Sequence, residues 1–162
     1  FKLGDIVTTV IKCAKGQTIV LSHDTNSPRP YSLNFRVQGT QGLWMKDNRS
    51  IYIEGLSPSE HQWESDEAYL KKYDHPLWKK FEDQAAGSGH GGMDFFIVHA
   101  FIETLKDNQP PVIDVYDAVS MSAIVPLSEK SIKLNSTSVK IPDFTRGKWK
   151  TNSPIFGLDE RY

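Results

Sequence analysis

The chain has 162 residues and a net charge of −1, with 19 basic against 20 acidic side chains and no block of lysine and arginine. That balance argues against a reader of phosphate backbones, because affinity for nucleic acid rests on clustered cations. A chain of this length forms one domain that buries roughly 70% of its unfolded surface without staples, and 38% hydrophobic with 24% charged residues is ordinary for a globular fold.

Cys13, the single cysteine, excludes an internal disulfide, so the fold owes nothing to an oxidising compartment. It alternates with apolar residues and reads as a small buried hydrophobe. The longest apolar run, Phe95 to Ile102, contains His99 and is too short to span a bilayer, so no membrane partner is expected. Phe1-Lys2-Leu3-Gly4-Asp5 leads straight into a strand pattern, with no charged leader and no apolar h-region. Such an opening reads as a piece of something longer.

The first third is a meander in pattern. Ile6 to Ala14 and Gln17 to His23 are β-branched runs separated by Lys15-Gly16, a two-residue hairpin signal. After a loop containing Pro28 and Pro30, Leu33, Phe35 and Val37 alternate with Asn34, Arg36 and Gln38, the period of a half-buried strand. Gly39 to Gly42 turns the chain into Leu43-Trp44-Met45, and Lys46 to Arg49 turns it into Ile51-Tyr52-Ile53.

The period then changes. Leu70, Tyr73, Leu77, Trp78 and Phe81 recur at helical spacing, and Pro76 splits them into two short helices, the second starting near Asp74 or His75. Met93, Phe96, Ile97, Ala100, Phe101, Thr104 and Leu105 form a broad stripe closed by Asn108 and Pro110-Pro111. Asp114 is the expected N-cap of a further helix running towards Ile132 with a kink at Pro126. Val139-Lys140-Ile141 reads as a last strand, and Arg146 to Tyr162 as a tail wrapped on the surface.

Strands followed by helices predict an α+β fold: a mostly antiparallel open β-sheet with helices packed on one face. One domain over 1–162 is expected, strand-rich at 5–55, helix-rich at 64–134, with the last strand and tail at 138–162. The uncovered sheet face, carrying Arg36, Gln38 and Trp44 or their neighbours, is expected to meet a second domain or subunit.

Two segments carry chemistry. In Asn26-Ser27-Pro28-Arg29-Pro30-Tyr31-Ser32 the prolines stiffen the backbone, so Arg29 and Tyr31 lose little entropy on meeting a ligand. Tyrosine offers an apolar face to a sugar ring and a hydroxyl to its polar edge. The alternative is a rigid connector whose Tyr31 packs on the core. In Gly87-Ser88-Gly89-His90-Gly91-Gly92-Met93-Asp94 an imidazole and a carboxylate sit on a glycine-rich turn before a helix. This is not a phosphate cradle, since it lacks a P-loop lysine and follows no strand. His90 reads equally as a sugar ligand, a general acid/base or a helix cap, and Asp94 as compensation of the helix dipole.

A metal site is not indicated, because His23, Asp24, His61, His75, His90 and His99 match no cage spacing. Nothing selects a carboxylate pair for glycoside hydrolysis from Glu54, Glu60, Asp94, Glu103 and Asp114. No nucleophile elbow occurs.

Taken in order, Gly4-Asp5, Thr8-Thr9, Ser27-Pro28-Arg29-Pro30-Tyr31-Ser32, Gly39-Thr40, His75-Pro76-Leu77-Trp78, Gly87 to Asp94, Pro111, Ile113 to Ala118 and Pro142-Asp143-Phe144 resemble one family over nearly the whole chain. It is the C-terminal portion of the NAD-dependent α-N-acetylgalactosaminidases, within the superfamily of glucose–fructose oxidoreductase and inositol dehydrogenase.

The resemblance implies a glycosidase that oxidises a sugar hydroxyl at C3 with bound NAD and acidifies the C2 proton. The aglycone is then eliminated across C1–C2, water adds and the hydride returns. Such a route needs no carboxylate pair. The resemblance makes Tyr31 a substrate contact, and Arg29 and His90, which lie in family motifs, join it as candidates. Catalytic residues and the NAD site are expected upstream, on an N-terminal Rossmann domain missing from these residues. The 162-residue piece alone is therefore expected to be inactive and to bind no NAD. Its partners would be a glycan ending in α-N-acetylgalactosamine, that N-terminal domain and a second copy met through the sheet. Export suits an enzyme that digests environmental glycans, with any leader upstream of Phe1. A sugar dehydrogenase of the same superfamily and a non-catalytic carbohydrate-binding or assembly module are the alternatives.

Overall fold

The structure, a computed structural model, describes residues 4–152 and 160–162. It is an α+β fold with antiparallel sheets and helices, divided into two compact units at 1–73 and 74–162.

The first unit opens with a hairpin of β1 (Ile6–Lys12) and β2 (Thr18–Asp24), in register from Ile6↔Asp24 to Lys12↔Thr18. The turn is one residue longer than the Lys15-Gly16 reading. Gly16 N–H donates to the Cys13 carbonyl, Cys13 N–H donates to the Gln17 carbonyl, and Gly16 takes φ +95°. Ala14-Lys15-Gly16 is thus a three-residue loop whose last position needs a left-handed backbone. Cys13 lies half-buried at its base, just outside the strand.

A four-stranded antiparallel sheet follows in sequential order: β3 (Arg36–Gln38), β4 (Gly42–Met45), β5 (Ser50–Ile53) and β6 (Glu64–Ser65). The strand expected from Leu33 begins only at Arg36. Asn34 sits at φ +46° and donates its N–H to the Ser32 hydroxyl, a local bond that competes with extension. Register pairs Val37 with Trp44 and Trp44 with Ile51, while Arg36 faces Met45 and Gln38 faces Leu43. Trp44 therefore projects from the face opposite to Arg36 and Gln38, since cross-strand partners share a side.

This unit is tied by one carboxylate. Asp66, 1% exposed, accepts the Trp44 indole N–H at 2.8 Å and Arg49 Nε–H at 3.0 Å. Its own N–H donates to the Arg49 carbonyl, and its carbonyl receives Leu70 N–H in α1 (Glu67–Tyr73). Sheet, turn and helix meet on that residue.

The second unit begins with α2 (Pro76–Ala85), capped by the His75 ring, which accepts Leu77 N–H, with Pro76 in the first turn as expected. A turn at 86–92 leads to α3 (Met93–Asp107), ended by Asn108 at φ +51°. Rings join the two helices: Trp78 stacks on Phe96 at 4.9 Å, and Phe81 lies 4.8 Å from His99. Leu77 and Ala85 are the buried hydrophobic side chains among the described residues.

Asp114 forms the expected cap of α4 (Val115–Ser122), with a reciprocal bond from Asp117. α5 (Ile124–Lys133) follows after Ala123. The break thus falls three residues before the expected kink, because Pro126 has no N–H for the Ser122 carbonyl and its ring would strike that turn.

Val139-Lys140-Ile141 is not a strand. It has no ladder partner among the described residues, and Pro142 follows it. Beyond it, the Asp143 carboxylate collects the Thr145 and Gly147 amides in a tight turn. Of the tail, residues 153–159 lie outside the described residues, and Lys148–Lys150 makes a single 3₁₀ turn.

Candidate functional site

Tyr31 is 85% exposed, so it does not pack on a core. Its loop is nonetheless held at both ends. Arg29 Nε–H donates to Asp24 Oδ2 at 3.1 Å, Nη2 to the Asp24 carbonyl at 3.1 Å and Nη1 to the Ser32 carbonyl at 3.0 Å. Asp24 Oδ1 accepts Ser27 N–H at 3.1 Å, and the Ser32 hydroxyl bonds the Asp47 carboxylate in the β4–β5 turn. The Ser27 amide, helped by the Ser27 hydroxyl and the Arg29 charge, holds the Asp24 carboxyl below its ordinary range.

His90 belongs to the other unit, as the first residue of a 3₁₀ turn at His90–Gly92. The turn is left-handed throughout: φ is +54° at His90, +69° at Gly91 and +101° at Gly92. Glycine takes that backbone freely, whereas histidine does so under strain. His90 Nδ1 lies 2.8 Å from Asp94 Oδ1, and the ring is largely exposed. With Nδ1–H donated to the carboxylate, Nε2 is left as an acceptor. The imidazole does not cap α3, whose N-cap is Gly92 with no side-chain bond.

Beside this pair a cavity of about 340 Å³ is lined by Ser88, Asp94, Phe95, Val98, His99 and Ile102. His99 stacks on Phe95, and its Nδ1 lies 2.8 Å from the Tyr162 hydroxyl. Burial, and then the charge of Glu103, push the Tyr162 phenol upwards. The accessible wall of this open pocket is apolar.

Both glycines of the turn that carry packing do so inwards. A Cβ on Gly89 would fall 2.1 Å from Asp94 Oδ2, and one on Gly92 would fall 3.1 Å from the Trp78 ring. The segment joins helix to helix, and its N-terminal carboxylate fills the place a pyrophosphate would need. Among the described residues, this turn therefore does not fit a dinucleotide's pyrophosphate. No group of three or more metal-ligating side chains occurs among them either, and no described helix is long and apolar enough to cross a membrane.

The profile described as glycosyl hydrolase 109, C-terminal domain, matches residues 1–151. The chain belongs to that family. A glycosyl hydrolase family 109 protein of Stenotrophomonas maltophilia (strain K279a) is 59% identical over 162 residues, covering 100% of this chain and 36% of that protein. A second, from Parabacteroides distasonis, is 52% identical over 158 residues, 98% of this chain and 34% of the relative. An alpha-N-acetylgalactosaminidase of Tannerella forsythia is 51% identical over 158 residues, again 98% and 34%. This family 109 domain thus spans about a third of the length of the curated relatives it matches.

Two anchoring roles escaped the sequence reading, those of Asp24 and Asp47 on the Tyr31 loop, while Asp94, read there as compensation of the helix dipole, also orients His90. The signals were present: Asp24 stands three residues before Ser27, the span of an N-cap type of side-chain bond, and His90 and Asp94 are four residues apart.

Proposed function

We propose that this domain forms the substrate side of a glycosidase that removes terminal α-linked N-acetylgalactosamine, with Tyr31 as its principal sugar contact. The observation that carries the reading is an 85% exposed tyrosine on a loop fixed at both ends. An unpaired aromatic held out of the core on a rigid loop is pre-organised for a ring-shaped ligand. The name of the Tannerella forsythia relative supplies the sugar.

His90, in the other unit, is a separate candidate contact that offers Nε2 to a substrate hydroxyl, its ring set by Asp94. The longer protein works by NAD-dependent oxidation, elimination, addition and reduction, with NAD held outside these residues. The same protein would meet a second copy through its strands, where Val10 and Val20 of the hairpin and Val37 of the four-stranded sheet remain exposed.

The test is product release from a chromogenic α-N-acetylgalactosaminide by the full-length protein, with NADH followed in parallel. A glycosidase of this kind releases the chromophore and accumulates no NADH. Net NADH formation makes the parent a sugar dehydrogenase, and absence of any turnover makes this domain a binding or assembly module. The isolated domain is expected to release nothing, and measurable release by it overturns the placement of the machinery elsewhere.

A further inference from the structure

We propose that Arg29 is a positioning residue: with Asp24 it clamps the 24–32 loop so that Tyr31 is held out towards the sugar. The inference rests on the reading of Tyr31 above.

Each of the three guanidinium nitrogens already donates within the loop. Two bonds go to Asp24, one to its carboxylate and one to its carbonyl, and the third reaches across Tyr31 to the Ser32 carbonyl. The clamp therefore encloses Tyr31 between its two jaws. Pro28 and Pro30 fix φ on either side of Arg29, so the fork is presented to these acceptors with little freedom left.

Asp24 closes the other side by taking Ser27 N–H on its second oxygen. It is 13% exposed in its side chain against 41% for Arg29, so the ion pair has its acid sheltered and its base at the rim. The depressed Asp24 carboxyl is consistent with a pair that stays ionised in neutral and mildly acidic solution. Below the loop, Ser32 takes Asn34 N–H at 2.9 Å and bonds Asp47, which fastens the C-terminal jaw to the β4–β5 turn.

Three of the five guanidinium N–H groups are committed to charge-assisted bonds within the loop, which fixes the side chain and leaves one N–H on each Nη. The Tyr31 hydroxyl and ring carry no such commitment. Planarity matters too. A lysine would bring one point charge where the fork serves three acceptors, so Arg29→Lys keeps the charge and loses the clamp.

A double-mutant cycle in the full-length protein, assayed as kcat/KM on the chromogenic α-N-acetylgalactosaminide with NAD present, tests this. Arg29→Ala and Asp24→Asn are each expected to lower kcat/KM about tenfold alone and to add nothing in a Tyr31→Ala background. A general loss of structure would instead multiply with Tyr31→Ala, so the missing second loss is the signature. An additive loss for Arg29→Ala, or full activity in that variant, overturns the proposal. Should Arg29→Ala fail to fold, Arg29→Lys takes its place: full activity there overturns the clamp, and a tenfold loss that vanishes beside Tyr31→Ala supports it. If Tyr31→Ala itself costs nothing, the sugar contact is what has failed, an outcome distinct from additivity.

Discussion

The loop at 24–34 and the turn at 86–92 each present a polar ring to solvent, and they hold it by opposite means. Tyr31 is fixed by charge: a guanidinium, two carboxylates and two prolines remove the freedom of its loop. His90 is fixed by backbone: three consecutive left-handed residues bring its ring onto Asp94, with Gly92 packed against Trp78 and Ala85. The units around them follow the same division. Asp66 ties the first together through hydrogen bonds, whereas stacked rings of α2 and α3 tie the second. Rigidity in the first unit is therefore electrostatic and directional, and in the second it is steric.

The largest effect should come from removing the carboxylate at the centre of the first unit. Asp66→Ala strands the Trp44 indole N–H and Arg49, and is expected to destabilise the unit by about 3 kcal/mol. Asp66→Asn keeps one acceptor and should lose less. Urea unfolding followed on the Trp44 indole N–H resonance reads this directly. An unchanged midpoint for Asp66→Ala would mean that the strands and α1 need no polar tie.

Next comes the steric side. Gly92→Ala adds a methyl 3.1 Å from Trp78 at φ +101°, where a left-handed backbone alone costs roughly 1–2 kcal/mol. We expect a loss of about 2 kcal/mol, seen as a lower thermal midpoint with the Trp78–Phe96 stack disturbed. His90→Gly should do the reverse. It relieves strain at φ +54° and raises stability by about 1 kcal/mol, while turnover by the full-length protein falls. Stability and activity moving in opposite directions is the outcome that marks His90 as kept for its ring. Equal gains in both would make it an ordinary turn residue.

Much of this division was legible in the residues, and where it was not the reason is specific. Helices α2 and α3 followed from apolar spacing and from Pro76 and Asn108, because those signals act within one turn. The Asp114 cap followed for the same reason. Val139 to Ile141 misled, since β-branched alternation records a preference for extension but not whether a neighbouring strand exists. β6 was missed from the other side: Glu64-Ser65 has no strand pattern and pairs only because β5 is there to receive it. At the site, Tyr31, His90 and Asp94 stood out by motif, but the anchors of the Tyr31 loop did not. Asp47 reaches Ser32 across fifteen residues of chain, a separation that no local pattern reports.

The smallest predicted effect separates the two anchoring modes with one variable. The folded-state Asp24 carboxyl lies below its ordinary value, so the clamp contributes stability that is present above the unfolded pKa of about 3.9 and is lost as pH falls through the folded value. Acid should thus weaken the bonds from Ser27 N–H and Arg29 Nε–H to the Asp24 carboxylate while the rest of the hairpin remains paired. The His90 turn is held instead by a backbone bond, Asp94 N–H donating to the Gly89 carbonyl, which has no proton to gain in this range. Amide exchange at Ser27 and Asn34, compared with that at Asp94 between pH 6 and pH 2.5, follows both. Faster intrinsic protection loss at Ser27 than at Asp94 on acidification is expected, after correction for the pH dependence of exchange itself. Equal loss at both would mean that the Asp24–Arg29 pair holds nothing the backbone did not already hold, and the contrast between an electrostatic loop and a steric turn would fail at its first unit.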